Sequence, residues 1–231
     1  MVETSNKVGT GTGTGSGSGA AEYSAKSFFV GLLILCVLGG GGWFGYVQIF
    51  TKGVERLPAR VCDDAVDRGT VTRALPSART AEEEAGRKGE GESLRFSCRI
   101  ATSSDSLLSG HARIDDASVR TWQNRNGVGA GGDAVHVSSG GVEALAQRDS
   151  DSGWSSVYVA CVPRGADAGD ASQSFALIAE GSVVGDSGAT GAELRQAVTD
   201  FSYQLAAHAY ALAGCEEARP LPERLPRYGD R

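Results

Sequence analysis

The chain is poor in the residues from which recognisable chemistry is usually built. Only three histidines and one methionine occur in 231 residues. None of the histidines, His111, His136 or His208, has a second His or Cys two to four residues away. No zinc pattern therefore forms, and neither a metal nor another cofactor is expected. Lysine is scarce too, four residues against eighteen arginines, and no basic run occurs. The formal charge of −6 divides into +1 for residues 1–52 (Lys7, Lys26 and Lys52 against Glu3 and Glu22) and −7 for residues 53–231. An acidic domain without a basic block argues against nucleic acid as a partner and against docking on anionic lipid. G-x-S-x-G, H-E-x-x-H and Walker strings are all missing. The glycines between Gly9 and Gly19 fall on odd positions only, so G-x-G-x-x-G never arises there.

What the chain does contain is one long apolar run. From Phe28 to Phe50 it carries no formal charge. As a helix this run reaches roughly 35 Å, enough to cross a hydrocarbon core of about 30 Å. Trp43 and Tyr46 lie toward its C-terminal end, where amphipathic rings favour the headgroup level, and Lys26 and Lys52 bracket it. Residues 27–51 are read as one transmembrane helix. No small-x-small cleavage site follows, and neither Cys36 nor Cys62 has the small residues of a lipoprotein signal before it. The helix is expected to remain as an anchor. Gly41 and Gly45 form a G-x-x-x-G pair that would let two copies meet as a homodimer, although the glycine run Gly39–Gly42 explains the same residues as helix weakening.

Around this run the chain divides by composition. Residues 1–26 are a Gly/Thr/Ser-rich tail with too few apolar groups to offset the entropy of ordering. Residues 52–61 read as a stalk, 62–215 as one α+β domain, and 216–231, with Pro220, Pro222 and Pro226, as an extended mobile tail. Within the domain, Cys62-Asp63-Asp64 is expected to open a short helix that Leu75-Pro76 ends. Residues 77–92 read as an exposed loop. Leu94, Phe96, Cys98 and Ile100 alternate with polar neighbours and predict a strand, paired with a second strand within residues 107–114. Residues 115–133 look irregular, and further strands are expected over 134–137, 154–162 and 175–179. Thr190 and Glu193 match a capping box, after which Leu194, Val198, Phe201, Leu205, His208 and Leu212 recur at helical spacing up to Gly214. The fold expected is an antiparallel sheet packed by this long C-terminal helix.

Apart from Cys36 in the membrane helix, Cys62, Cys98, Cys161 and Cys215 form an even set, which suits two disulfides and an oxidising compartment. Three pairings are open. Cys62–Cys98 and Cys161–Cys215 are favoured because each joins a helix end to a strand close to it in sequence. An N-terminus in the cytoplasm and an extracytoplasmic domain follow. Against this, Lys52, Arg56, Arg60 and Arg68 follow the helix closely, and by the positive-inside rule they favour the opposite orientation.

The run of a Cys with a short helix ending Leu75-Pro76, a strand carrying Cys98, a strand carrying Cys161 and a long helix ending Gly214-Cys215 resembles single-pass membrane proteins of unknown function in actinobacteria. The sheet with its terminal helix is more loosely similar to cell-envelope lipoproteins of PsbP-like fold, although no lipobox is present. Neither resemblance implies catalytic residues.

One string invites a catalytic reading. Gly185-Asp186-Ser187-Gly188 resembles the nucleophile segment of trypsin-like proteases, and Ala206-Ala207-His208 their histidine segment, in the wrong order for that family. A polar loop leading into the Thr190 cap explains the same residues. The leading expectation is a non-catalytic envelope module that binds a protein, a wall component or a small ligand; the alternative is a membrane-anchored serine hydrolase using Ser187.

Overall fold

The structure, a computed structural model, describes residues 25–50, 52–127, 134–148, 153–164, 174–216 and 219–228. The tail expected over residues 1–26 lies outside these, except that residues 25 and 26 already belong to a helix. The chain divides into two units, Met1–Phe44 and Gly45–Arg231. Helix α1 (Ala25–Phe50) is 26 residues long. Its described large apolar side chains, Phe29, Leu33, Leu35, Leu38 and Trp43 among them, are exposed. Counted over described side chains alone, no helix is long and apolar enough to cross a membrane. Within α1 those side chains run unbroken only from Phe29 to Trp43.

In the second unit, the part of the chain beyond α1 opens with an ordered segment rather than a free stalk. Val54 and Leu57 are buried in the core, and Gly53 N–H donates to Ala78 O at 2.7 Å. The two-residue strands β1 (Arg60–Val61) and β2 (Val66–Asp67) then form a tight hairpin. Its turn, Cys62-Asp63-Asp64, has φ values of 56°, 54° and 59°. This corrects the helix expected to open at Cys62. Three successive residues in the left-handed region cannot start a right-handed helix. The turn is held from both sides: the Glu83 carboxylate accepts from Cys62 N–H, and Arg60 Nε donates to Asp64 O at 2.8 Å. Helix α2 (Arg68–Ala74) starts only after Asp67 and ends at Leu75, as Pro76 requires.

Seven antiparallel strands follow. They are β3 (Ala81–Lys88), β4 (Arg95–Thr102), β5 (Leu107–Asp116), β6 (Ala134–Ser139), β7 (Val142–Gln147), β8 (Trp154–Ala160) and β9 (Phe175–Val184), with helix α3 (Val119–Arg125) after β5 and helix α4 (Gly191–Ala213) last. Their order across the sheet is β3-β4-β5-β9-β8-β7-β6. The α+β class and the antiparallel sheet with its C-terminal helix are as the sequence predicts. The exposed loop expected over residues 77–92 is instead the edge strand β3. It pairs along its full length with β4, although its outer residues Glu82 and Glu84 are exposed. Part of the region expected to be irregular is α3. Ser118 caps this helix by accepting from Thr121 N–H, and Trp122 is buried on it. Residues 128–133, also expected to be irregular, lie outside the described residues.

The main core lies between one face of the sheet and α4. Phe96, Cys98, Ile100 and Leu108 from the strands meet Leu194, Val198, Phe201 and Leu205 from the helix. The helical stripe seen in the sequence is thus the buried face of α4. Its cap differs from expectation. Thr190 makes no side-chain cap bond, and Gly191, at φ 54°, takes the first residue off the helical path. Gly214 closes the other end in the left-handed conformation, as expected. The bonds Cys62–Cys98 and Cys161–Cys215 are both present, with Cα separations of 5.5 and 5.2 Å. Cys62 reaches the core side of β4 because α2 packs against α4, where Arg73 meets Asp200 at 2.9 Å and Gln204 accepts from Asp67 N–H at 2.8 Å.

The described part of the Pro-rich tail is extended but not loose. Leu225 and Tyr228 are buried. Tyr203 O–H donates to Pro222 O, Tyr228 N–H donates to Gln196 Oε1, and the Arg195 guanidinium lies 5.6 Å from the centre of the Tyr228 ring. Residues 219–228 form a strap along α4.

Candidate functional site

In a strand with one buried face, the alternate residues point the other way. Here those residues are polar. From β4 they are Arg95, Ser97 and Arg99, from β5 Ser109, His111 and Arg113, and from β9 Glu180 and Ser182. The registers set them in rows across the sheet. One row reads Gly86, Ser97, His111, Glu180, Ser156; the next reads Glu84, Arg99, Ser109, Ser182, Trp154.

Over β8 and its neighbours this second face is closed. Trp122 of α3 donates to Ser156 Oγ at 2.9 Å, its ring lies 5.4 Å from that of Tyr158, and Tyr158 O–H donates to Ala117 O. Ala176, Ile178 and Leu145 complete this small second core. Burial pushes the Tyr158 hydroxyl above its ordinary value. Over β3, β4 and β5, no described element covers the face. Arg95, Ser97, Arg99 and His111 are all exposed. The result is a depression of about 420 Å³ whose lining includes Ser97, Ser109, Ser182, His111, Glu180 and Trp154.

His111 and Glu180 are the best-defined pair in it. His111 Nε2 lies 3.3 Å from Glu180 Oε2 and 2.9 Å from Arg113 Nη1. A single nitrogen cannot donate to the carboxylate and accept from the guanidinium at once, so protonating Nε2 exchanges one contact for the other. The His111 hydrogen bond is the main influence holding the Glu180 carboxyl below its ordinary range; burial opposes it, and the His111 and Arg113 charges add to it. Ser97, His111 and Glu180 stand in one row, yet they do not form a nucleophilic triad. Ser97 Oγ donates to Gly86 O at 3.3 Å, and His111 uses the same nitrogen for both of its contacts. The arrangement is suited to holding a polar molecule by paired donors and acceptors.

The residues singled out in the sequence are scattered. Ser187 Oγ donates to Ala189 O at 2.7 Å, and Gly188 N–H donates to Ala74 O, so this loop is fastened to the end of α2. No contact described for Ser187 involves a histidine. His208 is half-buried on α4 with its ring 4.8 Å from that of Phe96, and burial lowers its pKa. His136 pairs with Glu143 on the adjacent strand. Sequence reasoning missed the His111–Glu180 pair because its members lie in strands that become neighbours only through the β5–β9 pairing. A weak signal existed in the polar alternation of residues 95–99 and 109–113.

These features define an α+β domain with one face of its sheet packed by a helix and, among the described residues, half of the other face uncovered. Set against protein-family models, curated proteins and solved structures, the chain matches none.

Proposed function

We propose that this is a single-pass membrane protein whose N-terminus is cytoplasmic and whose domain from Gly53 onward stands outside the membrane, where it binds a hydroxyl-rich saccharide. The anchor reading rests on the sequence of α1, 26 residues with Lys26 as its only formal charge. A helix that is apolar all round needs a surrounding apolar phase. The extracytoplasmic reading rests on the two disulfides, which persist in oxidising compartments. A domain of this length is able to translocate despite the basic residues that follow the helix.

The observation that carries the binding reading is the uncovered half of the sheet. Its floor of serines leaves room for a ligand, Glu180 and His111 accept and donate, and the half-exposed Trp154 offers an aromatic surface at the edge. That combination of a ring for stacking and convergent polar groups suits a sugar chain. The test is to titrate the full chain, in neutral detergent, with neutral N-acetylglucosamine oligosaccharides. Saturable binding that Trp154→Ala and Glu180→Gln each weaken supports the reading. No binding, or binding unchanged by both substitutions, overturns it. A reporter active only outside the cytoplasm, joined at Arg231, tests the topology separately, and a silent reporter there reverses the assignment.

A further inference from the structure

One row of the open face carries positive charge alone on three adjacent strands. Lys88 of β3 stands opposite Arg95 of β4, which stands opposite Arg113 of β5. Like charges directly opposite one another in a sheet repel and are locally destabilising. Arg113 is compensated, lying 3.3 Å from Asp115 and 3.7 Å from Glu180. For Lys88 and Arg95 no carboxylate partner is found among the described residues, and both are exposed. The row borders a second depression of about 270 Å³, lined by Lys88, Arg95, Arg113, Ser97 and His111. Ser97 and His111 also line the larger depression, so the two adjoin. This concentration of cations lies in a domain whose sequence carries −7 overall.

We propose that the Lys88–Arg95–Arg113 row is the subsite for a phosphate group carried by the ligand, so that the bound saccharide is a phosphorylated one. The inference rests on the binding reading above and deepens it. A phosphate supplies the negative charge that Lys88 and Arg95 lack. Its oxygens accept from a guanidinium in the paired geometry that Arg95 can offer, with Lys88 acting as a point charge. Ser97 and His111, on the next row, are within the same hollow for an ester oxygen or a neighbouring hydroxyl. The source is a molecule in the aqueous phase rather than a bilayer headgroup. A domain of charge −7 is repelled by an anionic membrane, and a single row of three cations does not reverse that over a whole surface.

The experiment uses the full chain in neutral-lipid nanodiscs and three probes: N-acetylglucosamine 6-phosphate, N-acetylglucosamine, and added vesicles rich in phosphatidylglycerol. The expected result is that the phosphorylated sugar binds at least about tenfold more tightly than the neutral one, with an advantage that shrinks as salt is raised. Lys88→Gln with Arg95→Gln removes that advantage while leaving the neutral sugar's affinity unchanged and without lowering the melting temperature, since it relieves the repulsion between the two. Arg95→Lys alone, which keeps the charge but not the fork, recovers only part of it. Equal affinity for the two sugars overturns the subsite and leaves the saccharide reading standing. No binding of either sugar overturns the subsite, and the oligosaccharide titration above then decides the saccharide reading separately. Capture of the protein by the anionic vesicles, abolished by the double substitution, overturns the assignment to an aqueous phosphate.

Discussion

Gly110 of β5 stands directly opposite Gly181 of β9, and the pair leaves the space into which α4 settles. A Cβ at Gly110 would lie 2.7 Å from both Leu205 Cδ1 and Phe201 Cε1. At Gly181 it would lie 2.5 Å from Ser202 Oγ and 2.8 Å from Phe201 Cδ1. Gly110→Ala is therefore expected to cost about 1–3 kcal/mol by overpacking. Phe201→Ala, which empties the same contact, is expected to cost about 3–5 kcal/mol. Denaturant unfolding measures both. A loss below about 1 kcal/mol for Phe201→Ala, well under the core range, would contradict the packing of α4 described here.

The two disulfides are expected to matter comparably, because they close loops of similar length, with sequence separations of 36 and 54. The chain-entropy model gives roughly 4 kcal/mol for each, as an upper figure. Replacing Cys161 and Cys215 together by Ser should lower the denaturation midpoint and leave Cys62–Cys98 intact in non-reducing peptide maps. A map of the unsubstituted chain showing Cys62 joined to Cys161 or Cys215 contradicts the pairing.

The strap along α4 is expected to respond to alkali. Burial, the largest influence, raises the Tyr228 hydroxyl from 10.0 to about 12. Because the folded value is the higher one, the unfolded chain ionises first. The stabilisation is complete below about pH 10 and disappears as pH rises toward about 12. Tyr228→Phe should flatten that part of the stability profile. Ultraviolet titration should show a late-ionising tyrosine in the wild type that Tyr228→Phe lacks; a variant that loses an early-ionising tyrosine instead would contradict the docked strap.

Acid should act on the other side of α4. Burial lowers the pKa of His208 below its ordinary 6.5, while Asp63 opposes this and Arg60 adds to it. A base with a lowered folded pKa stays neutral longest in the folded protein. Its contribution is complete above about pH 6.5 and declines as pH falls through that value, when the unfolded chain takes up the proton first. His208→Phe keeps a ring against Phe96 and should reduce the loss of stability as pH falls below about 6.5. An unchanged slope would place the titration elsewhere.

The elements legible in the sequence are those whose burial is one-sided and whose buried residues are large. Leu94 to Ile100 alternates cleanly, and the stripe from Leu194 to Leu205 has helical spacing, so β4 and α4 stood out. β3 did not. As an edge strand it buries only Ala81 and Ala85 in part, and its AEEEAGRK run has no apolar alternation. β7 uses small residues, Ala144 and Ala146, which fit under a close layer but give little hydropathy contrast. α3 announces itself only through its Ser118 cap and a single large side chain, Trp122. The turn at Cys62 reads as a helix start because acidic residues suit both a helix start and the left-handed conformation, and the choice between them is made by Glu83 and the bond to Cys98. The candidate site was invisible for a related reason. Polar residues on three separate strands have no common signature until the strand order is known.

The placing of these strands along the chain also allows a stepwise assembly. β3, β4 and β5 form one meander between Ala81 and Asp116, and β6, β7 and β8 a second between Ala134 and Ala160; β9, from Phe175, is the strand that joins them. As the chain emerges from its N-terminus, the first meander can fold, and Cys62 can meet Cys98, before Cys161 has been exposed. Cys161 must then wait for Cys215, which arrives only after α4. With two of the four thiols already consumed, the late pair has no wrong partner left in its own chain outside α1. The spacing of the cysteines along the chain thus gives the correct connectivity a kinetic advantage in addition to its stability.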